Sequence, residues 1–444
     1  MKQFLIHNKE HHKSLLLLAG PMILSNITVP LLGIVDTAVI GHLGSAHYLA
    51  AIALGSAVIS ILFWLAGFLR MSTTGLVAQA YGQDDLPQLA ALLKRSLVIA
   101  CTVAVLLILF SPLIKNAIAY LSAADSEVLT QAYKYFNIRI FSAPAALCNL
   151  VLLGWMLGVH YGKGPFYLLL VTNIVNIVLD IYFVVYLDWA VAGAAWASLI
   201  ADYTALIFAL FLVIKLAKKH AIKLTMPHWF SLKKMSALLT LNRDIFIRSL
   251  ILQLCFSFMT FYGARLGETT LAANAVLLNF LMLVSFALDG VAYASEAKVG
   301  QAKGQKSVFN IRLWVKISVF WGVLFGVLYS VFFAVFGRYI ITLLTNVPDV
   351  IELATTYLPW IIVLPLLAMS CFLFDGIFVG LTRAKDMRNS MFVAAGIGFF
   401  GVFFIFNQWG NNALWLAMSC FMLMRGITLI IKYQQLKSNN QLLD

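Results

Sequence analysis

Charged side chains are scarce in this sequence: they make up 11% of its 444 residues, against 62% that are hydrophobic. A soluble domain carries about 25% charged and about 45–50% apolar residues. A mean hydropathy of +0.92 spreads the apolar excess along the whole chain. That excludes a cytosolic enzyme, a nucleic-acid-binding domain and a disordered scaffold, none of which keeps so much apolar surface away from water. Acids are scarcer than bases, 18 against 31 Lys and Arg, leaving a net charge of +13. In a membrane protein this reflects cations collected in cytoplasmic loops, and it does not call for a nucleic-acid partner.

The five cysteines (Cys101, Cys148, Cys255, Cys371 and Cys420) fall in apolar stretches, without CxxC or metal-ligand spacing. They are expected as core thiols, not disulfides. No cleavable leader is expected: Lys2, Lys9, Glu10 and Lys13 precede a helix-length apolar run without a small-residue cleavage site. Gly300–Ser307 only superficially resembles a Walker A loop, since it lacks the Gly-Lys-Ser/Thr ending and follows no strand. HExxH and EF-hand motifs are missing, and the eight histidines lie in tails, loops or helix ends. The reading is therefore not an enzyme, with no cofactor and no metal, and any pumping is driven by an ion gradient or a separate subunit.

A membrane-crossing helix needs about 20 apolar residues. Twelve such runs are present, at 14–39, 46–70, 92–114, 131–158, 165–186, 191–216, 243–264, 271–295, 311–336, 354–381, 389–407 and 411–433. The fold class is thus an all-α polytopic membrane protein. With the N-terminus cytoplasmic, every Lys and Arg except Lys115, Lys134, Arg139, Arg265 and Arg338 falls on the inner side. This asymmetry places both termini in the cytoplasm of a bacterial inner (plasma) membrane protein.

The chain also repeats itself at a shift of half its length. Gln79-Ala80-Tyr81-Gly82-Gln83 returns as Gln301-Ala302-Lys303-Gly304-Gln305, and Gly158 meets Gly380. Six helices per repeat gives two bundles of like orientation, the parallel-repeat plan of many secondary transporters. The expected organisation is an N-terminal six-helix bundle over 1–216, a basic cytoplasmic linker over 217–242, and a C-terminal six-helix bundle over 243–444.

A buried carboxylate is costly in hydrocarbon and is a functional candidate by default. Asp36 on the first span and Asp180 on the fifth both lie in the outer half. Asn173, Asn176 and Asp180 share one helix face at i, i+3 and i+7, and Ser198 on the sixth span reaches matching depth. Two carboxylates in a low-dielectric pocket cannot both ionise cheaply, so desolvation and mutual repulsion raise the proton affinity of at least one. A cationic guest favours the ionised form, so proton and guest compete, which is the minimum that antiport requires. The alternative is that these residues only hydrogen-bond helices together. Asp289 and Asp375 stand open between pairing with Arg70 or Arg383 and lining an inner gate, and Asp202 stands open as well. Pro21 and Pro30 in the first span, Pro144 in the fourth and Pro365 in the tenth are expected to kink their helices, as hinges or static bends.

The string Val35-Asp36-Thr37-Ala38-Val39-Ile40-Gly41-His42-Leu43-Gly44, followed by Phe68-Leu69-Arg70-Met71-Ser72-Thr73-Thr74-Gly75-Leu76 and Gln79-Ala80-Tyr81-Gly82, resembles the multidrug and toxic compound extrusion (MATE) family, in its DNA-damage-inducible protein F branch. The resemblance covers essentially the whole chain. It implies a V-shaped transporter of two bundles that exports organic cations and other amphipathic small molecules in exchange for H⁺ or Na⁺. It carries N-lobe cavity roles over to Asp36, Asn176 and Asp180, and by spacing to Tyr135 and Ser198. It also assigns a bending role to Pro21. A monomer in the lipid bilayer is expected. A flippase of lipid-linked oligosaccharide is the alternative, but it requires a cationic cavity, whereas this cluster is acidic.

Overall fold

A computed structural model describes residues 8–41, 46–122, 125–224 and 229–444, without the side chains of 27–41, 46, 47, 49 and 117–122. Asp36 and Pro30 therefore lie on described backbone but outside the described side chains. His42, Leu43, Gly44, Pro227 and His228 lie outside the described residues altogether.

No strand occurs among the described residues. The helices are α1 (Lys9–Gly41), α2 (Ala46–Leu65), α3 (Phe68–Gly82), α4 (Leu86–Leu109), α5 (Ser111–Ser122), α6 (Ser126–Arg139), α7 (Ala143–Gly158) and α8 (Lys163–Asp180). They continue with α9 (Ala190–Lys219), α10 (Leu232–Arg265), α11 (Glu268–Gly304), α12 (Val308–Leu344), α13 (Pro348–Gly380), α14 (Ala384–Val393), α15 (Val402–Phe406) and α16 (Asn411–Ser438). Eleven segments among the described residues are long and apolar enough to cross a membrane. The 33-residue α1 covers the remaining expected run.

The chain divides into two compact units, residues 24–238 and residues 1–23 with 239–444. The sequence reading put all of the first helix in the N-terminal bundle. Instead, its first turns group with the C-terminal unit, for a visible reason. Leu15, Ala19 and Met22 are buried, the Trp321 indole donates to His12 Nδ1 at 3.0 Å, and Gly290 leaves room for Ile23.

The internal repeat is written into the turns. α3 and α11 end in the same way: Gln83 N donates to Gln79 O at 3.1 Å and Gln305 N to Gln301 O at 2.9 Å. Asp85 N then reaches Ala80 O at 3.0 Å, and Ser307 N reaches Ala302 O at 3.1 Å. Between them Asp84 and Lys306 take φ of 53° and 54°, the left-handed residue that closes a helix end. Asp85 caps Gln88 N at 2.9 Å, and Ser307 caps Asn310 N at 3.2 Å. His160 and Thr382 close α7 and α13 with φ of 63° and 53°.

Glycine permits matching helix contacts in each unit. A Cβ on Gly158 would meet Val77 at 2.5 Å, and one on Gly380 would meet the Glu296 carbonyl at 2.6 Å. Pro144 sits at the start of α7, after a 3₁₀ turn over Ile140–Ser142, so the fourth span is interrupted there. Pro365 lies inside an unbroken α13.

Candidate functional site

α8 has two contrasting faces. Ile174, Val178 and Ile181 are more than half exposed, as a lipid-facing stripe requires, whereas Asn176 and Asp180 are each only 2% exposed. Spacing by three, four and seven residues makes this division, because an α-helix repeats every 3.6 residues. Asn173 shares the polar face and is half-buried.

On the neighbouring α9, Ser198 Oγ accepts from Asn176 Nδ2 at 3.1 Å. The other amide atom, Asn176 Oδ1, is buried without a hydrogen-bond donor among the described residues. One turn further along α9, Asp202 Oδ2 accepts from Arg139 Nη1 at 2.6 Å. Arg139 also donates to Ser142 Oγ at 2.8 Å, and Asn149 Nδ2 donates to the Asp202 carbonyl at 3.1 Å. Tyr135, one turn before Arg139 on α6, is 6% exposed and packs with Ile52, Val184, Val191, Ala194 and Ala195. Asp202 and Tyr135 are both electrostatic neighbours of the Arg139 guanidinium.

The structure therefore brings Asn176 and Ser198 into direct contact, sets Asp180 one turn along the same buried face, and joins Tyr135 to this region through Arg139. The side chain of Asp36 lies outside the description, so no distance connects it to Asp180. Among the described residues, no three His, Cys, Asp or Glu side chains gather as a metal site would require.

Two charge assignments are corrected. Arg139 was assigned to the outer set of loop cations, yet it sits in a membrane-crossing segment, Ser126–Gly158, bonded to Asp202. The missed signal was available, since the run 131–158 already contained this cation and an intramembrane charge calls for a partner. Asp375 pairs with neither Arg70 nor Arg383. Its Oδ2 accepts from Arg248 and, at 2.8 Å, from Arg425, all three side chains being largely buried in the C-terminal unit. Asp289 is an electrostatic neighbour of Arg425.

The half-length shift also shows what the second unit lacks. Asn176 and Ser198 correspond to Gly398 and Cys420, which still touch across two helices without a polar side-chain bond. Arg139 and Asp202 correspond to Ile361 and Met424. Asp36 corresponds to Phe258, which packs among Phe399, Phe400 and Phe403 with ring centroids 5.0–5.8 Å away. At these shifted positions the polar side chains of one unit give way to Phe258, Ile361, Gly398, Cys420 and Met424 in the other.

Comparison with known proteins gives consistent results. A family model described as MatE matches residues 21–182 and 245–404. The chain is 46% identical over 418 residues to DNA damage-inducible protein F of Escherichia coli strain K12, covering 94% of this chain and 91% of that one. It is 28% identical over 302 residues to human multidrug and toxin extrusion protein 1, covering 67% of this chain and 52% of that one. Among solved structures, the bent form of the Vibrio cholerae MATE transporter VcmN aligns with a TM-score of 0.88 at 20% identity, over 98% and 99% of the two chains. A MOP-superfamily transporter from Pyrococcus furiosus aligns with a TM-score of 0.87 at 17% identity, over 96% of each.

Proposed function

The chain belongs to the MatE family of membrane transporters, and from that premise we propose that it is a proton-coupled antiporter exporting organic cations and other amphipathic small molecules. It works in the bacterial inner membrane as a monomer with both termini in the cytoplasm. It needs no cofactor beyond the coupling ion, which is H⁺, with Na⁺ as the competing choice.

The observation that carries this reading is the buried polar face of α8, where Asp180 and the Asn176–Ser198 pair back onto α9 while the opposite face meets lipid. In the proposed cycle, Asp36 and Asp180 are ionised facing the cytoplasm and hold a cationic guest. Asn173, Asn176, Ser198 and Tyr135 hydrogen-bond the guest or the carboxylates. Facing outward, the two acids take up protons, lose their attraction for the cation and release it. Desolvation favours the neutral acid once the guest has gone, and the guest's charge favours the carboxylate, so each occupant expels the other. Pro21 lets α1 bend between the two forms, because proline leaves one backbone carbonyl without its partner. A phosphate-bearing lipid cargo is less well served, since Arg139, one turn along from Tyr135, is committed to Asp202.

The test is dye- or drug-driven proton release in proteoliposomes. Asp36→Asn and Asp180→Asn are each expected to abolish exchange while leaving expression and folding intact. Unimpaired exchange in either variant would remove that carboxylate from the mechanism.

A further inference from the structure

From Tyr203 to Arg243 the chain contains no Asp or Glu, while six lysines, Lys215, Lys218, Lys219, Lys223, Lys233 and Lys234, occur within it. All six are exposed. Charge of one sign over such a length follows in part from the general bias of inner loops. Three further observations concern where these lysines stand.

The first is the course of α9. Ile207, Phe211 and Ile214 are 70%, 58% and 45% exposed along one face, the mark of contact with acyl chains. Lys215 follows Phe211 by four residues and Lys218 follows Ile214 by four, so the cations continue that same face beyond its apolar end. They stand where the lipid-facing surface meets the headgroups, not on the polar face that carries Ser198.

The second is the return of the chain. Arg95, buried at 3% exposure near the start of α4, donates from Nε to the Trp229 carbonyl at 2.8 Å. This fixes the connector to its own unit. The third is what the fixed segment then presents: Phe230 and Leu232 are 55% and 76% exposed, directly before Lys233 and Lys234. Apolar side chains interleaved with lysines bind a membrane surface by partial insertion plus attraction to anionic lipid.

We propose that the end of α9, the start of α10 and the described residues Lys223 and Phe230 between them dock on anionic phospholipid headgroups, with Phe230 and Leu232 entering the interfacial layer and the six lysines neutralising phosphates. A lipid surface is favoured over a free anion because the apolar prongs gain nothing from dissolved phosphate.

The proposal is independent of what the protein transports, and its test reads contact directly. The whole protein is placed in nanodiscs of phosphatidylcholine alone or of phosphatidylcholine mixed equally with phosphatidylglycerol. Acetylation of each lysine is then timed by mass spectrometry. Acetylation of Lys218, Lys219, Lys233 and Lys234 is expected to slow by about five-fold or more in the anionic discs, with the protection disappearing in high salt. Phe230→Ser with Leu232→Ser should weaken protection at Lys233 and Lys234 without touching a charge, and Lys218→Gln with Lys219→Gln should weaken it at the remaining lysines. Equal rates in both discs would overturn the proposal. So would protection by inorganic phosphate in phosphatidylcholine discs, which would make the site one for a free anion.

Discussion

The Arg139–Asp202 pair shows how a charged side chain is kept inside a membrane protein. Its donor and acceptor stand 2.6 Å apart with 13% and 18% side-chain exposure. Removing one partner of such a pair strands the other in a poorly solvated place, at a cost of about 3–5 kcal/mol. Asp202→Asn alone is therefore expected to lower the thermal unfolding temperature of the detergent-solubilised protein strongly. The double variant with Arg139→Gln should recover most of the loss, because no charge is left unpaired. Losses that simply add would show that the two residues act separately. At this scale the sequence was informative about acids and less so about bases. The face shared by Asn176 and Asp180 follows from helical periodicity, and the contact with Ser198 from matching depth. Arg139 was counted on the outer side without a partner, although it lies within the run 131–158, and the arginine partners of Asp375 lie far along the chain, where no local pattern reaches.

Among the elements, α1 carries the clearest surprise. Apolar patterning marked it as a helix, but its described turns are apolar on both faces, Leu17 and Leu24 being exposed opposite the buried Leu15, Ala19 and Met22, so the sequence gives no clue to which face a neighbour covers. Its opening turns are held in the C-terminal unit by His12, whose Nδ1 must be unprotonated to accept from the Trp321 indole. Burial, and then the neighbouring His11, hold the His12 pKa below the ordinary 6.5. The neutral ring therefore lends its full stability above pH 6.5, and that contribution is lost as the pH falls through the lower folded value. The protection of residues 9–23 against hydrogen–deuterium exchange, taken relative to the intrinsic amide rate at each pH, should fall on acidification, and His12→Gln should flatten that dependence. An acid response undiminished in the variant would assign it to another group. Several helices outlast their apolar runs: α3 and α11 continue to Gly82 and Gly304 before a left-handed residue follows, α10 begins at Leu232, eleven residues before its run, and α12 continues to Leu344, while the run over 92–114 is divided between α4 and α5.

For the whole molecule, the two units share a scaffold but not a chemistry, so the proposed exchange belongs to residues 24–238 together with α1. Imposed gradients separate the coupling ions. An inward proton gradient across proteoliposomes should drive cargo movement with sodium absent, whereas a sodium gradient at equal pH should not. Movement driven by sodium alone would exchange one ion for the other in the cycle and leave the polar face of α8 in place. That the chain is helical, membrane-spanning and duplicated could be read from hydropathy, cation asymmetry and the half-length shift. The division at residues 23 and 238 could not, since it depends on contacts and not on composition.

The duplicated turns also give the molecule an internal replicate. Asp84 and Lys306 occupy the same left-handed position, a backbone state that costs an L-residue roughly 1 kcal/mol more than glycine. Asp84→Gly and Lys306→Gly should therefore raise the melting temperature by similar small amounts, each serving as the other's control. Unequal gains would measure how far two copies of one ancestral corner have drifted apart in their tolerance of strain.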